Sequence, residues 1–138
     1  MLDVHIHDFW KDCAAILLTG MRIFPRTQTL YIEDISGPDT IDEFGLHSDR
    51  HLAALGALQW LHEEGYVRFS NLHRQESVDD FALTSKSFTR LLAIADPESL
   101  NNMPEEADNT PVFQVLEYAF LQRNSLWLGR LIQQYIIN

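Results

Sequence analysis

Residues 47–92 run HSDRHLAALGALQWLHEEGYVRFSNLHRQESVDDFALTSKSFTRLL, and the fold depends on how this stretch is parsed. Leu52, Leu55, Leu58 and Leu61 recur at the spacing of one buried helix face, which predicts a helix over 48–64. Ser48 suits the N-cap, and Asp49 sits where the helix dipole is positive. Gly65 follows the last periodic residue, where a helix exits through a left-handed conformation that side chains oppose. There the period changes. In Tyr66-Val67-Arg68-Phe69, Val67 and Phe69 share one face, as in a half-buried strand. A polar loop over 70–79 leads to a second strand with Phe81 and Leu83 facing inward. Ser85 can then cap a last helix, with Phe88, Leu91, Leu92 and Ala95 at i, i+3, i+4 and i+7.

This order of helix, glycine exit, strand, polar hairpin, strand and helix resembles the second half of a winged helix-turn-helix domain. The likeness is carried by ALQWLHEEGYV (57–67) and FALTSKSFTRLL (81–92). The first is similar to the L-x-x-L-x-x-x-G-aromatic/aliphatic run that follows a recognition helix. The second is similar to the x-L-T-x-K/E-G-x-x-L run after the wing, with Ser87 in the place of the glycine. The resemblance implies a mainly α fold with a small antiparallel β wing, plus a C-terminal helical segment. It names no target, since a fold alone does not specify function.

Upstream, Leu2, Val4 and Ile6 alternate and predict a short strand or ordered arm. A helix is expected from Asp8 to Ile23, with Phe9, Cys13, Ile16 and Leu17 on one side and Asp8 as cap. Pro25 ends it, because the residue before a proline is pushed out of helical geometry. Thr27 to Thr29 can supply a small strand. Leu30 to Ile35 is open: the resemblance implies a second helix, whereas Tyr31 and Ile32 favour strand. Ser36-Gly37-Pro38-Asp39 signals a turn, followed by an acidic connection to Leu46 with room for a helical turn at Thr40 to Phe44. That connection is longer than the tight turn of a DNA-reading helix-turn-helix.

Three regions result: a winged-helix-like domain over 1–95, an acidic linker over 96–110, and a helical association segment over 111–138. Thr110 and Pro111 read as the cap and first residue of that last segment. Its apolar residues cover more than one helix face. Leu116, Phe120, Trp127, Leu131 and Tyr135 are therefore expected to meet a second copy, as a homodimer. The alternative is that Gln122 to Ser125 break the segment into two short helices that complete the chain's own core.

The chain has 138 residues, enough for one core, and carries 20 acids against 10 Lys and Arg, a net charge of −10. Acids cluster over 33–43 and 96–108, while 47–92 holds six acids and five bases. Such a surface repels nucleic-acid phosphates unless the bases gather on one face. The single cysteine, Cys13, excludes an internal disulfide and fits a reducing, cytoplasmic setting. Asp3, His5, His7 and Asp8 interrupt the start, so no signal peptide is expected. Nor does any run reach the roughly 20 apolar residues of a membrane span.

Residues with possible chemistry have simpler roles. His5-x-His7-Asp8 can form a metal triplet, but a solvated arm accounts for it. His47 and His51 lie four apart in H-x-D-x-H with Asp49, and capping and surface polarity explain them more simply than chelation. No metal or cofactor is assigned. Cys13 reads as an inert buried thiol. Ser85 and Lys86, as helix neighbours, point apart and make no dyad. With no glycine-rich phosphate loop, C-x-x-C or G-x-S-x-G, an enzyme is not expected. Candidate DNA contacts are Arg50 and His51 on the 48–64 helix, Arg68 on the strand, and His73 and Arg74 at the wing. Ala53, Ala54, Gly56 and Ala57 would instead let another polypeptide approach closely; Trp60 is a further contact in that reading, although burial in the core accounts for it better. Two functions follow: an acidic winged-helix regulatory or adaptor module working through protein contacts, or a dimeric DNA-binding transcriptional regulator.

Overall fold

The computed structural model describes residues 4–100 and 109–138. Helix α1 spans Val4–Ile23, with Cys13, Ile16, Leu17 and Gly20 on its buried face at i, i+3, i+4 and i+7. It starts earlier than Asp8, so the expected strand or arm over the described residues 4–7 is its first turn. Strand β1 (Gln28–Tyr31) and the single-turn helix α2 (Glu33–Ser36) divide Leu30–Ile35 between them. Both alternatives for that hexapeptide hold in part: Leu30 and Tyr31 are strand, 33–35 are helix, and Ile32 is the turn between them. The connection over 37–48 carries no helical turn.

Helix α3 (Asp49–Glu63) begins as expected: Ser48 is extended, and its Oγ accepts from the His51 N–H at 3.2 Å. Its buried face is His51, Ala54, Leu55, Ala57, Leu58 and Leu61. Leu52, expected inward, is 39% exposed, and His51 takes the inward place. Gly65 exits the helix at φ +85°. Strands β2 (Val67–Arg68), β3 (Leu72–His73) and β4 (Ser77–Leu83) follow, all antiparallel to their partners. β4 is central, with sheet order β1-β4-β2 and β3 also paired to β4. Val67 lies opposite Leu83 and Arg68 opposite Ala82, the pairing that the change of period predicts.

A bulge at Asp79–Asp80 shifts the β1–β4 register between Leu30 opposite Val78 and Gln28 opposite Phe81. Asp80 takes φ +56° there, which aspartate tolerates better than most residues. The extra residue resets the alternation, so that Val78 and Phe81, three apart, both reach the core. Helix α4 (Ser85–Leu92) is capped by Thr84, one residue before the expected Ser85. Ser87, in the glycine's place, is buried, and its hydroxyl donates to the Tyr66 carbonyl at 2.5 Å.

The expected linker is an excursion with joined ends. Ala95 N–H donates to the Thr110 carbonyl and Val112 N–H to the Ala93 carbonyl, both at 2.8 Å. Residues 97–99 make a 3-10 turn, and 101–108 of that linker lie outside the described residues. Helix α5 (Val112–Leu121) has Pro111, rather than Thr110, at its N-cap. Asn124 caps α6 (Ser125–Leu131), which ends in a π turn over Ile132–Ile136. This is the two-helix alternative. Leu116, Trp127 and Leu131, expected to meet a second copy, are buried in the chain's own core, and Phe120 and Tyr135 pack on it half-buried. The reason is α1, whose second flank accepts α5 and α6. Gly129 allows this approach: a Cβ there would stand 2.8 Å from the Trp10 ring. Among the described residues, no helix is long and apolar enough to cross a membrane.

Candidate functional site

On the outward side of α3, Ala53 and Gly56 form one strip of small residues next to Trp60. α1 runs beside it and contributes Ile6, Phe9 and Trp10. Between them lies an open groove of about 580 Å³, floored by Ala53, Gly56 and Ala57 and walled by Phe9, Trp10 and Trp60. Edge-to-face contacts hold the wall, with ring centres at 5.1 Å for Phe9–Trp10 and 5.4 Å for Phe9–Trp60. A Cβ on Gly56 would meet nothing, so the floor is open above it. The ends of α3 are acidic, with Asp49, Glu63 and Glu64 exposed.

The expected DNA contacts separate into two groups. Arg50 turns inward and grips Asp12 of α1 with both terminal nitrogens, at 2.8 and 2.5 Å. Asp12 is 1% exposed. Burial pushes its carboxyl above the ordinary value, against the pull of the guanidinium, while the same contact strengthens the charge on Arg50. His51 is also internal, at 1% exposure, and its Nε2 lies 2.7 Å from the Gln75 carbonyl. Neither side chain reaches solvent freely enough to read a base.

On the sheet side, Arg68, His73 and Arg74 are exposed. His73 Nε2 contacts Asp79 Oδ2 at 2.7 Å, and Arg74 sits at the turn with φ +53°. The two imidazoles near the chain start, His5 and His7, lie two apart on a helix rather than on one strand face, so they do not converge. His7 instead contacts Ser125 Oγ at 2.7 Å. Ser85 and Lys86 stay apart in role, since Lys86 Nζ lies over the Tyr66 ring at 4.2 Å. Cys13 is fully buried.

Two partners escaped the sequence. Asp12 lies 38 positions from Arg50, yet an acid beside Cys13 on the apolar stripe of α1 demands a cation. The other is Asp39, whose Oδ2 lies 2.8 Å from His47 Nδ1. Its place in a turn signal gave no hint of that contact. Comparison with protein-family models, curated proteins and solved structures returned no match.

Proposed function

We propose that this chain is a non-enzymatic winged-helix module that acts as a regulatory or adaptor protein, docking a partner protein on α3. The winged reading is supported by the element order and by β4 lying between β1 and β2. The observation that carries the function is the groove between α1 and α3. Its floor of Ala53, Gly56 and Ala57 lets a backbone come close, and its aromatic walls offer apolar area. An apolar helix face with basic flanks fits such a trough and complements a chain of net charge −10. The same helix offers DNA little, since Arg50 is held by Asp12 and His51 is buried.

The second reading, a DNA-binding regulator, is favoured by exposed Arg68 and Arg74 at the wing. Fluorescence anisotropy of a labelled random-sequence duplex separates the two, because cation-mediated binding falls steeply with salt. At physiological salt the full chain should hold the duplex no more tightly than micromolar. Submicromolar binding that disappears in the double variant Arg68→Glu, Arg74→Glu would favour the regulator instead.

A further inference from the structure

We infer that Asp39, His47 and His51 form a binding site for one zinc-class divalent ion, which staples the acidic connection to the start of α3. One donor atom from each lies within 4.8 Å of the other two. His47 Nδ1 stands 2.8 Å from Asp39 Oδ2, and His51 Nδ1 stands 3.7 Å from the same oxygen. Ligands bonded to zinc at tetrahedral angles stand about 3.3 Å apart, so the two separations bracket that value. The side chains of Asp39, His47 and His51 are 7%, 6% and 1% exposed.

His51 supplies the independent sign. Its Nε2 faces a carbonyl, which can only accept, so Nε2 carries the proton and donates to Gln75. In the neutral ring Nδ1 is then a lone pair. It is buried, it has no hydrogen-bond partner, and it points towards Asp39 Oδ2, which also cannot donate when ionised. Asp39 Oδ2 accepts from His47 Nδ1 at 2.8 Å and from the Ser48 N–H at 3.3 Å, which leaves His51 Nδ1 as the unsatisfied group that a shared cation would engage. The outer contacts match as well. A metal-bound imidazole ordinarily gives its other N–H to a carbonyl or carboxylate, which orients the ring. His51 has the Gln75 carbonyl at 2.7 Å, while His47 Nε2 has the Glu76 carboxylate nearby at 3.7 Å, beyond hydrogen-bond distance. The two rings stack at 3.8 Å and 7°, so their in-plane lone pairs run side by side, and binding would tilt the His47 ring until both Nδ1 atoms face one ion. Two imidazoles and one carboxylate select a zinc-class ion over magnesium or calcium, and leave a fourth position for water.

The ion would fasten three separate segments: the turn carrying Asp39, the first turn of α3, and the β3–β4 turn through Gln75 and Glu76. This accounts for a long connection entering α3 at a defined place. It does not depend on the groove lying on the other side of the helix.

The test uses the full chain freed of metal by chelation, titrated with zinc ion against a competing indicator. The histidine ring nitrogens are followed by long-range ¹H–¹⁵N NMR correlations. One equivalent should bind and shift His47 Nδ1 and His51 Nδ1 together, leaving His5, His62 and His73 unmoved. Asp39→Asn and His47→Gln should each weaken zinc at least about tenfold, as losses in a metal's ligand shells do. Circular dichroism without zinc checks that both variants fold; if either does not, the wild-type ring-nitrogen shifts decide alone. Absence of a one-to-one complex, or a complex that shifts His5 or His73 instead, would overturn the site. So would unchanged affinity in both folded variants.

Discussion

Gly56 and Gly129 lie on opposite sides of the same question, which is whether a helix face is already in use. At Gly129 a Cβ collides with Trp10, and at Gly20 it stands 2.6 Å from Leu83. Gly129→Ala and Gly20→Ala should each lower stability by about 1–3 kcal/mol through overpacking. Gly56→Ala meets open space, so the gain in helix propensity should raise stability by about 1 kcal/mol. Urea denaturation of the three variants checks both signs. Arg50→Ala poses a different problem, since it leaves Asp12 buried beside no cation. The cost should be roughly 3 kcal/mol at neutral pH, the low end for a stripped buried pair, because Arg50 keeps 29% of its side chain in water. Its pH dependence has a definite sign. Burial already raises the folded-state pKa of Asp12, and loss of the guanidinium raises it further. A raised carboxyl favours folding when protonated, so that contribution is present below the ordinary carboxylate value and lost as pH rises through the folded pKa. The deficit of Arg50→Ala relative to wild type should therefore shrink as pH falls towards 4, a common value for aspartate in the unfolded chain. A deficit that grows in acid would contradict this account of Asp12.

At the scale of elements, local signals carried well wherever one segment decided its own state. Ser48, Gly65 and the alternation after it placed α3, its exit and the β2–β4 pairing correctly, because caps, left-handed exits and two-residue periods are properties of adjacent residues. What distant residues decide was not legible. Leu52 belongs to the α3 repeat, but its neighbour His51 turns inward because Gln75, 24 positions on, offers a carbonyl. The bulge at Asp80 arises from pairing with β1, and no period within β4 contains it. The five residues assigned to an association face carried the right hydrophobicity, but periodicity could not tell which chain would cover them. For the same reason the spacing of His47 and His51 points not to Asp39 but to Asp49. One is a spatial neighbour of His47 and His51, the other only a sequence neighbour. Thr84 joins the local and the distant. Its Oγ1 accepts from Ser87 N–H at the start of α4 and donates to the Gly65 carbonyl at 2.7 Å. Thr84→Val keeps the shape and removes both, and should cost about 1–2 kcal/mol by thermal or urea unfolding. An unchanged midpoint would mean that water replaces these contacts freely.

For the whole molecule, the C-terminal helices share one core with the sheet and α1. Nine buried apolar residues, from Val112 to Ile136, belong to the same cluster as Phe81 and Leu17. The larger ones each contribute on the order of 1.5–3 kcal/mol by burial and Ala119 less, a sum comparable to the roughly 5–15 kcal/mol by which domains are stable. A chain ending at Asp108 should therefore lose cooperative thermal unfolding, and a sharp transition in that fragment would show an independent 1–95 domain. With α5 and α6 committed inward, the groove of Ala53, Gly56 and Trp60 is the apolar surface on which the proposed function rests. Site-specific photo-crosslinking tests it most directly. A benzophenone side chain replaces Ala53 in the full-length protein, in the cells that naturally produce it. The account predicts a discrete protein adduct that vanishes when Gly56→Trp fills the groove and is absent when the probe replaces exposed Leu126. An adduct to DNA at position 53, or the same protein adducts from both positions regardless of Gly56→Trp, would contradict it.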